Sequence, residues 1–391
     1  MPRPEYAHRQ NIHSYDRSGT WRANLKQKAA TQLVISRVYR GGDEFASFFL
    51  PATGNEPQSG PDYIGDGFDI RIADARGPHW RGEITTLQFD AQARAWYVEA
   101  TGYGLDLGEA YDTAVNARNT STATLITNAI SALTTKIDST SITTSGHTVS
   151  NSGDVLLAFL HAGQLIAWAS RFDEGAIWRV TPLEDGSRRF TYRERPTAST
   201  LFMAMNQFDD ADWGFERTPL FTRTTIEYNR GGTLAVPTYS YSTANADATL
   251  QDRYGVREMA VMLWALVASA DADAVASALL AAAKRPRMHA QMLRAVGGED
   301  TLWIMDGIGG HANRIPPHRV QAGELLAFSD VPLLDYGATN TDFNKYCLIA
   351  KTQWSEDTQE LLITPENFEN TFQGAFGKME ATANRLVVRA A

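Results

Sequence analysis

The chain has 391 residues, enough for two or three domains with cores of their own. Hydrophobic residues make up 43% and charged residues 21%, a globular balance, with a formal net charge of -9. No basic stripe suited to nucleic-acid phosphates or an anionic membrane surface is visible. A single cysteine, Cys347, excludes an internal disulfide framework and a cysteine-rich zinc cluster.

The opening MPRPEYAHRQ lacks the apolar centre of a secretory signal. The most apolar stretch, 259–270, falls short of the roughly 20 residues that a membrane span needs. A soluble chain made in the cytoplasm, without a membrane anchor, is expected.

Residues 1–30 are polar and weakly patterned, an N-terminal arm. Strand-like segments follow: TQLVISRVY (31–39), then GDGFDIRIAD (65–74), which alternates Phe68, Ile70 and Ile72 with Asp69 and Arg71. WRGEITTLQF (80–89) and AWYVEATG (95–102) continue the pattern. A spacing of about ten residues per strand, with no helix between, predicts an antiparallel sheet or small barrel.

STATLITNAISALTTKI places Ile126, Ala129, Ile130, Leu133 and Ile137 on one helical face, with Ser121 or Thr122 as N-cap. Residues 138–153 are dense in Ser, Thr and Gly and read as a loop. IWRVTPLEDGSRRFTYR (177–193) predicts a hairpin turning at Asp185-Gly186. FTRTTIEYNRGGTLAV (221–236) predicts a strand, VREMAVMLWALVA (256–268) a helix, and DADAVASALLAAAKRP (271–286) an Asp-capped helix stopped by proline. Short strands are expected at 302–306, 324–329, 346–351 and 360–364, and the last 25 residues show no period. The fold class is α+β, mainly β: two antiparallel barrel-like modules with helical insertions.

Candidate chemistry is sparse. Gly102, Gly104 and Gly108 in ATGYGLDLG could cradle a dinucleotide, but no helix follows directly and the strands before look antiparallel, so a strand-end turn is the better reading. DGIGGHANR (306–314) has no Walker lysine and reads as a loop. His79, His161, His289, His311 and His318 never fall at a helical zinc spacing and read as surface or polar-core residues. Carboxylates cluster at Asp69 and Asp74, Asp173 and Glu174, and Asp209 and Asp210. In NQFDDADWGFE (206–216) acids lie among Phe208, Trp213 and Phe215, on which a sugar could stack, although a loop packing two sheets accounts for them as well. No Gly-x-Ser-x-Gly elbow occurs, and Cys347 lies in an apolar strand where a thiol is inert. No catalytic residue, cofactor or metal is expected.

DRYGVREM (252–259) reads as a joint. Gly255 takes a positive φ, Tyr254 packs its ring and bonds through its hydroxyl, and Arg257 and Glu258 open the helix, with Glu258 at its positive dipole end. Arg253 or Arg257 is a candidate partner for an acidic residue of a neighbouring subunit.

Three stretches carry a resemblance. GDGFDIRIADARGPHWRGEITTLQFDAQARAWYVEATGYGLDL looks like a tail-tube module, with an aromatic before Gly82-Glu83-Ile84 and a strand ending in Gly102-Tyr103. SRRFTYRERPTASTLFMAMNQFDDADWGFERTPLFTRTTIEY resembles the crossing into a second barrel. TLQDRYGVREMAVMLWALVASADADAVASALLAAAKRPR matches a Tyr-Gly-x-Arg-Glu turn followed by an alanine-rich helix, and VQAGELLAFSDVPLLD, with Gly323 before its strand, fits the segment after that helix. Over roughly residues 30 to 365 the order resembles the hub proteins at the tips of long phage tails, whose best-known member is the baseplate hub of contractile phages.

The resemblance implies an arm (1–30), a first tube-like module (31–110), a linking domain (111–215), a second module (216–365) and a tail (366–391). It also implies a non-catalytic homotrimer whose six barrels surround a channel for DNA that passes without specific binding. Its neighbours would be tail-tube and distal tail proteins and tip or fibre proteins, in a virion tail assembled in the host cytoplasm. Gly82, Gly102, Tyr254, Gly255, Arg257, Glu258 and Gly323 are then assembly residues. A carbohydrate-binding or carbohydrate-active virion protein is the alternative, resting on 206–216.

Overall fold

The computed structural model describes residues 10–52, 61–105, 107, 115–116, 119–132, 137–143, 146–149, 156–157, 162–170, 172–173, 176–183, 185, 187–196, 200–209, 215–216, 221–233, 236–266, 268–283, 287–288, 292–298, 301–306, 313–328 and 346–366. Among the expectations above, His161, His289, His311, Glu174, Asp210, Trp213, Gly108, Gly186 and most of DGIGGHANR lie outside the described residues, as do 367–391.

Seven strands open the chain: β1 (Asn11–Tyr15), β2 (Trp21–Asn24), β3 (Thr31–Val38), β4 (Arg40–Pro51), β5 (Asp69–Asp74), β6 (Gly77–Asp90) and β7 (Ala95–Gly102). Antiparallel pairing runs β2–β1–β5–β6–β7–β4–β3. Ile70 and Ile72 face the core, as the alternation predicts, with Trp80, Phe48 and Val98 packed there too. Residues 11–24, read as part of an arm, are woven into this sheet. Ile12 is fully buried opposite Ile72.

A linking region follows, with β8 (Val115–Asn116), α1 (Thr122–Ala132), β9 (Ser139–Ile142), β10 (Leu156–Leu157), α2 (Ala162–Ala169), β11 (Ile177–Pro182) and β12 (Arg188–Arg193). Ser121 caps α1, its hydroxyl accepting from the Thr124 N–H at 3.1 Å. The hairpin β11–β12 forms as predicted. Ile126, Ile130 and Ile166 of the helices pack on Val180, Phe190 and Tyr192 of the hairpin. Its first strand runs parallel to β4, Val180 facing Gly42.

A smaller sheet follows β13 (Leu201–Met203) and β14 (Phe215–Glu216). It holds β15 (Arg223–Thr233), β16 (Val236–Tyr241), β17 (Asn245–Ala246) and, beyond α3 (Ala248–Tyr254), β18 (Glu258–Leu266). Here the structure corrects the sequence reading: 258–266 is a strand, not a helix, paired in parallel with β15 from Arg223↔Glu258 onward. Met, Ala and Leu favour a helix locally, but the pairing and the packing of Met259 and Val261 on the core of this unit outweigh that preference. α4 (Ser269–Ala283) forms where the alanine run predicts it and buries Ala272, Val275, Ala276 and Leu279 against Ile226 and Tyr228.

The remaining strands are β19 (Arg287–Met288), β20 (Leu293–Val296), β21 (Ile304–Asp306), β22 (Asn313–Ile315), β23 (Leu325–Phe328), β24 (Tyr346–Ser355) and β25 (Glu360–Pro365). They return to the beginning of the chain. β24 lies antiparallel to β3, Trp354 opposite Ile35, and β25 and β20 extend the same sheet. Ile349, Trp354, Leu361 and Ile363 therefore share one core with Ile12, Leu33 and Phe48. The chain is mainly β, as expected. Its strands form large branching sheets that include parallel pairs, and among the described residues no barrel closes.

Gly102 sets how closely β7 and its following turn approach β4. A Cβ there would sit 1.8 Å from the Asp43 carbonyl oxygen, a backbone atom that cannot swing away. Gly102→Ala is expected to lower stability by at least ~2 kcal/mol, because overpacking must move the strand. Chemical denaturation measures it, and an unchanged midpoint would refute the close-approach account.

Candidate functional site

The densest polar constellation is a buried clamp. Arg37, on the inner side of β3, has a side chain only 2% exposed. Its Nε donates to Asp43 Oδ1 at 3.2 Å and its Nη1 to the His318 carbonyl at 2.8 Å. Its Nη2 donates to the His79 carbonyl at 2.9 Å and to His79 Nδ1 at 3.0 Å. A guanidinium can only donate, so His79 Nδ1 is the acceptor and its proton sits on Nε2, facing Gln10 Oε1 at 2.5 Å.

The second half of the clamp is Asp74, at the end of β5. Its Oδ2 accepts from His318 Nε2 at 2.8 Å and from Arg319 Nε at 2.7 Å. Its Oδ1 accepts from the Arg76 N–H and from Arg319 Nη2. His318 and Arg319 sit on a single 3-10 turn, Pro317–Arg319, so one turn from late in the chain is pinned to strands from its beginning. The rings of His79 and His318 lie 4.9 Å apart, and Trp354 flanks His318 at 5.3 Å.

Electrostatics follow from burial. Desolvation holds His79 well below the ordinary histidine range, helped by the Arg37 charge, and holds His318 lower as well, against the pull of Asp74. Burial pushes the Asp43 carboxyl up to about 6, against the attraction of Arg37. Asp74 moves the other way, because its bonds to Arg319 and His318 outweigh its desolvation.

Among the described residues, the other carboxylates singled out in the sequence have basic or hydroxyl partners. Asp69 accepts from Arg81, Arg71 and, at 2.8 Å, the Tyr103 hydroxyl. Asp173 accepts from Tyr192 at 2.7 Å and from Thr122. Asp209 faces Arg294 at 3.9 Å. Phe208 packs into the core edge-on to Phe328, 5.9 Å between centroids, so its ring is not available to a sugar. The ATGYGLDLG segment ends β7 and turns through a 3-10 element, Tyr103–Leu105, as the turn reading predicts. Cys347 is buried and its thiol is pushed up to about 12.

The assembly residues scatter. Gly82 is wedged between the Trp80 ring and the Thr101 carbonyl, opposite Gly102. Gly323 meets Ile177, donates to the Ile349 carbonyl at 2.7 Å, and accepts from Arg193 Nη2 at 2.9 Å. Tyr254 ends α3 half-buried, with the Arg253 guanidinium over its ring at 5.3 Å. Gly255, at φ 76° and ψ 176°, then turns the chain into β18. Glu258 lies in a strand rather than at a helix start, accepting from Thr225 at 2.6 Å and facing Arg223 at 3.4 Å. The joint is held by a residue the sequence does not advertise. Thr222, fully buried, accepts from the Arg257 N–H and donates to the Gly255 carbonyl, each at 2.9 Å.

No protein-family model matches the chain, and no curated protein matches it by sequence. Solved structures do. The 43 kDa tail protein of prophage MuSo2 from Shewanella oneidensis superposes with a TM-score of 0.56 at 12% identity, over 92% of this chain and 99% of that one. Prophage tail protein gp18 from Listeria monocytogenes EGD-e gives 0.55 at 11%, over 94% and 98%. A tail protein from Neisseria meningitidis MC58 gives 0.54 at 10%, over 92% and 97%. The fold is that of these phage tail proteins, and it spans nearly the whole chain.

Two outcomes follow from the clamp and the joint. Histidines held below their unfolded value of about 6.5 stay neutral in the fold but charge in the unfolded chain, so stability falls as pH drops below that value, by at most ~1.4 kcal/mol per histidine per pH unit. Asp43 works in the opposite sense only below about 6, where its raised carboxyl takes up a proton before the unfolded one does. The denaturation midpoint should therefore fall between pH 7.5 and 6.0, and fall less steeply in His79→Gln; equal slopes would contradict the assignment. Gly255→Ala should cost ~1–3 kcal/mol, since φ and ψ there suit glycine alone. Thermal denaturation checks this, with no change as the refuting result.

Proposed function

We propose that the chain is a structural hub of the tail tip or baseplate of a long-tailed phage. In this reading it is a non-catalytic homotrimeric ring that joins the tail tube to the distal tip and lines the DNA channel. The observation that carries it is the fold, shared over more than nine-tenths of the chain with three tail proteins, two of them from prophages. The net charge of -9 is consistent with a lumen past which DNA slides rather than sticks.

We further propose two tube-like modules, 31–110 and 216–365, bridged by 111–215 and flanked by the 1–30 and 366–391 segments. Three copies then present six modules to a hexameric tube. The seam between β3 and β24 supports treating the modules as one mechanical unit, since each contributes a strand to the other's sheet. Its partners in this reading are tail-tube and distal tail proteins on one side and tip or fibre proteins on the other, in a virion tail put together in the host cytoplasm.

Mixing the purified chain with a tail-tube protein, followed by negative-stain microscopy, tests the proposal. A threefold ring with a central channel, capping tube ends, is expected. A chain that stays monomeric at every concentration and never joins a tube sinks it.

A further inference from the structure

Strands β15 to β18 and helix α4 make a unit with a core of its own. Ile226, Tyr228, Ala272, Val275, Ala276 and Leu279 pack together, apart from the main core and from the core of the linking region. One aromatic crosses the divide. Phe172, which follows α2 in the linking region, packs on this core from outside. The two units meet where α4 begins.

His147 makes the polar half of that junction. Its ring lies flat on Phe172, 4.8 Å between centroids and 9° between planes. Its Nε2 stands 2.8 Å from Asp271 Oδ1, in the first turn of α4. The linking region fixes the ring from behind: the His147 N–H donates to Asp173 Oδ1 at 3.3 Å, and its carbonyl accepts the Thr122 N–H at 2.8 Å. Phe172 in turn rests edge-on against Trp168, 4.9 Å between centroids. Asp271 has a side chain only 4% exposed, and the positive end of α4 favours its charge.

Such a pair holds unequally in its two protonation states. A neutral imidazole donates from Nε2 in only one of its tautomers, whereas the charged ring always donates there and adds a charge to the bond. Histidine is the side chain that passes between these forms near neutral pH. Among the described residues, the charged groups on the helices around the ring are Asp271 and Asp273 of α4, while α1 and α2 carry none. Asp273 accepts from the Thr243 N–H, and the Asp173 carboxylate beside Phe172 accepts from Tyr192 and Thr122. Asp271 is the acid that faces Nε2.

We propose that His147 and Asp271 form a latch that seats the β15–α4 unit on the linking region, firmest when His147 is protonated and looser when it is neutral. Mild acid closes the junction, and mild alkali frees α4 to part from Phe172. The sign is opposite to that of the buried clamp, whose histidines weaken the whole fold on acidification. A global denaturation midpoint therefore does not isolate the latch, and a local measurement does. The inference goes beyond the hub reading and stands without it.

Amide hydrogen exchange in the first two turns of α4, corrected for the intrinsic effect of pH, tests it at about pH 6 and about pH 8. The native chain is expected to be at least ~3-fold better protected at the lower value. His147→Gln, which can donate but never charges, should show the weaker protection at both values. His147→Arg, charged throughout and able to stack on Phe172, should show the stronger protection at both. Asp271→Asn removes the charge from the other side and should flatten the pH dependence as well. Equal protection of the native chain at the two values overturns the latch. So does a full pH dependence that survives in His147→Gln or in Asp271→Asn.

Discussion

Burying the guanidinium of Arg37 is the constraint around which the molecule is arranged. Removing such a charge from water costs several kcal/mol, recovered only if its donors find partners of good geometry. Those partners come from three places: Asp43 on the next strand, His79 on β6, and the carbonyl of His318, 281 positions later. The early strands cannot settle Arg37 without the late turn, and the side chains of the late turn, His318 and Arg319, are held by Asp74. Each half of the chain is a condition for the other.

The linking region attaches to the same seam. Arg193 bonds the Gly323 carbonyl and Glu324, and Arg179 faces Glu324 at 3.5 Å, just after the turn that carries His318 and Arg319. Asp173, within that region, is occupied by Tyr192 and Thr122. A carboxylate engaged by arginines, tyrosines and backbone amides has little left with which to move a proton or hold a metal. Asp69, Asp74 and Asp173 work as fasteners.

Much of the fold is legible from local pattern. β5, β6 and β7 follow from alternation, the β11–β12 hairpin from Asp185-Gly186, and α4 from its alanines and flanking proline. β4 is less visible, since Gly41 and Gly42 at its start suggest a turn. The missing side chain of Gly42 instead admits β11, whose Val180 carbonyl oxygen lies 2.4 Å from where a Gly42 Cβ would stand. β18 reads as a helix in the sequence because helix propensity is a local quantity and its pairing with β15 is not. The clamp was hidden for the same reason. His79 and His318 each look unremarkable, and only the fold brings their rings together. Gly102 could be singled out, whereas Thr222 could not, because a threonine beside a strand carries no signal of the turn it holds.

The interleaving of ends has a consequence for how the chain is made. Lys26 pairs with Glu356, 330 positions apart, and β3 waits for β24 across a comparable span. Synthesis runs from one end at roughly 5–20 residues per second, so β3 and Arg37 are out of the ribosome well before their partners exist. Long-range pairing of this kind slows folding, because the loop entropy falls due before the contacts that offset it. During that interval the unpaired flank of β3 and the unanswered charge of Arg37 are the parts of the nascent chain in need of shelter. The architecture thus makes closure a late event, sealed only once residues beyond 355 have emerged.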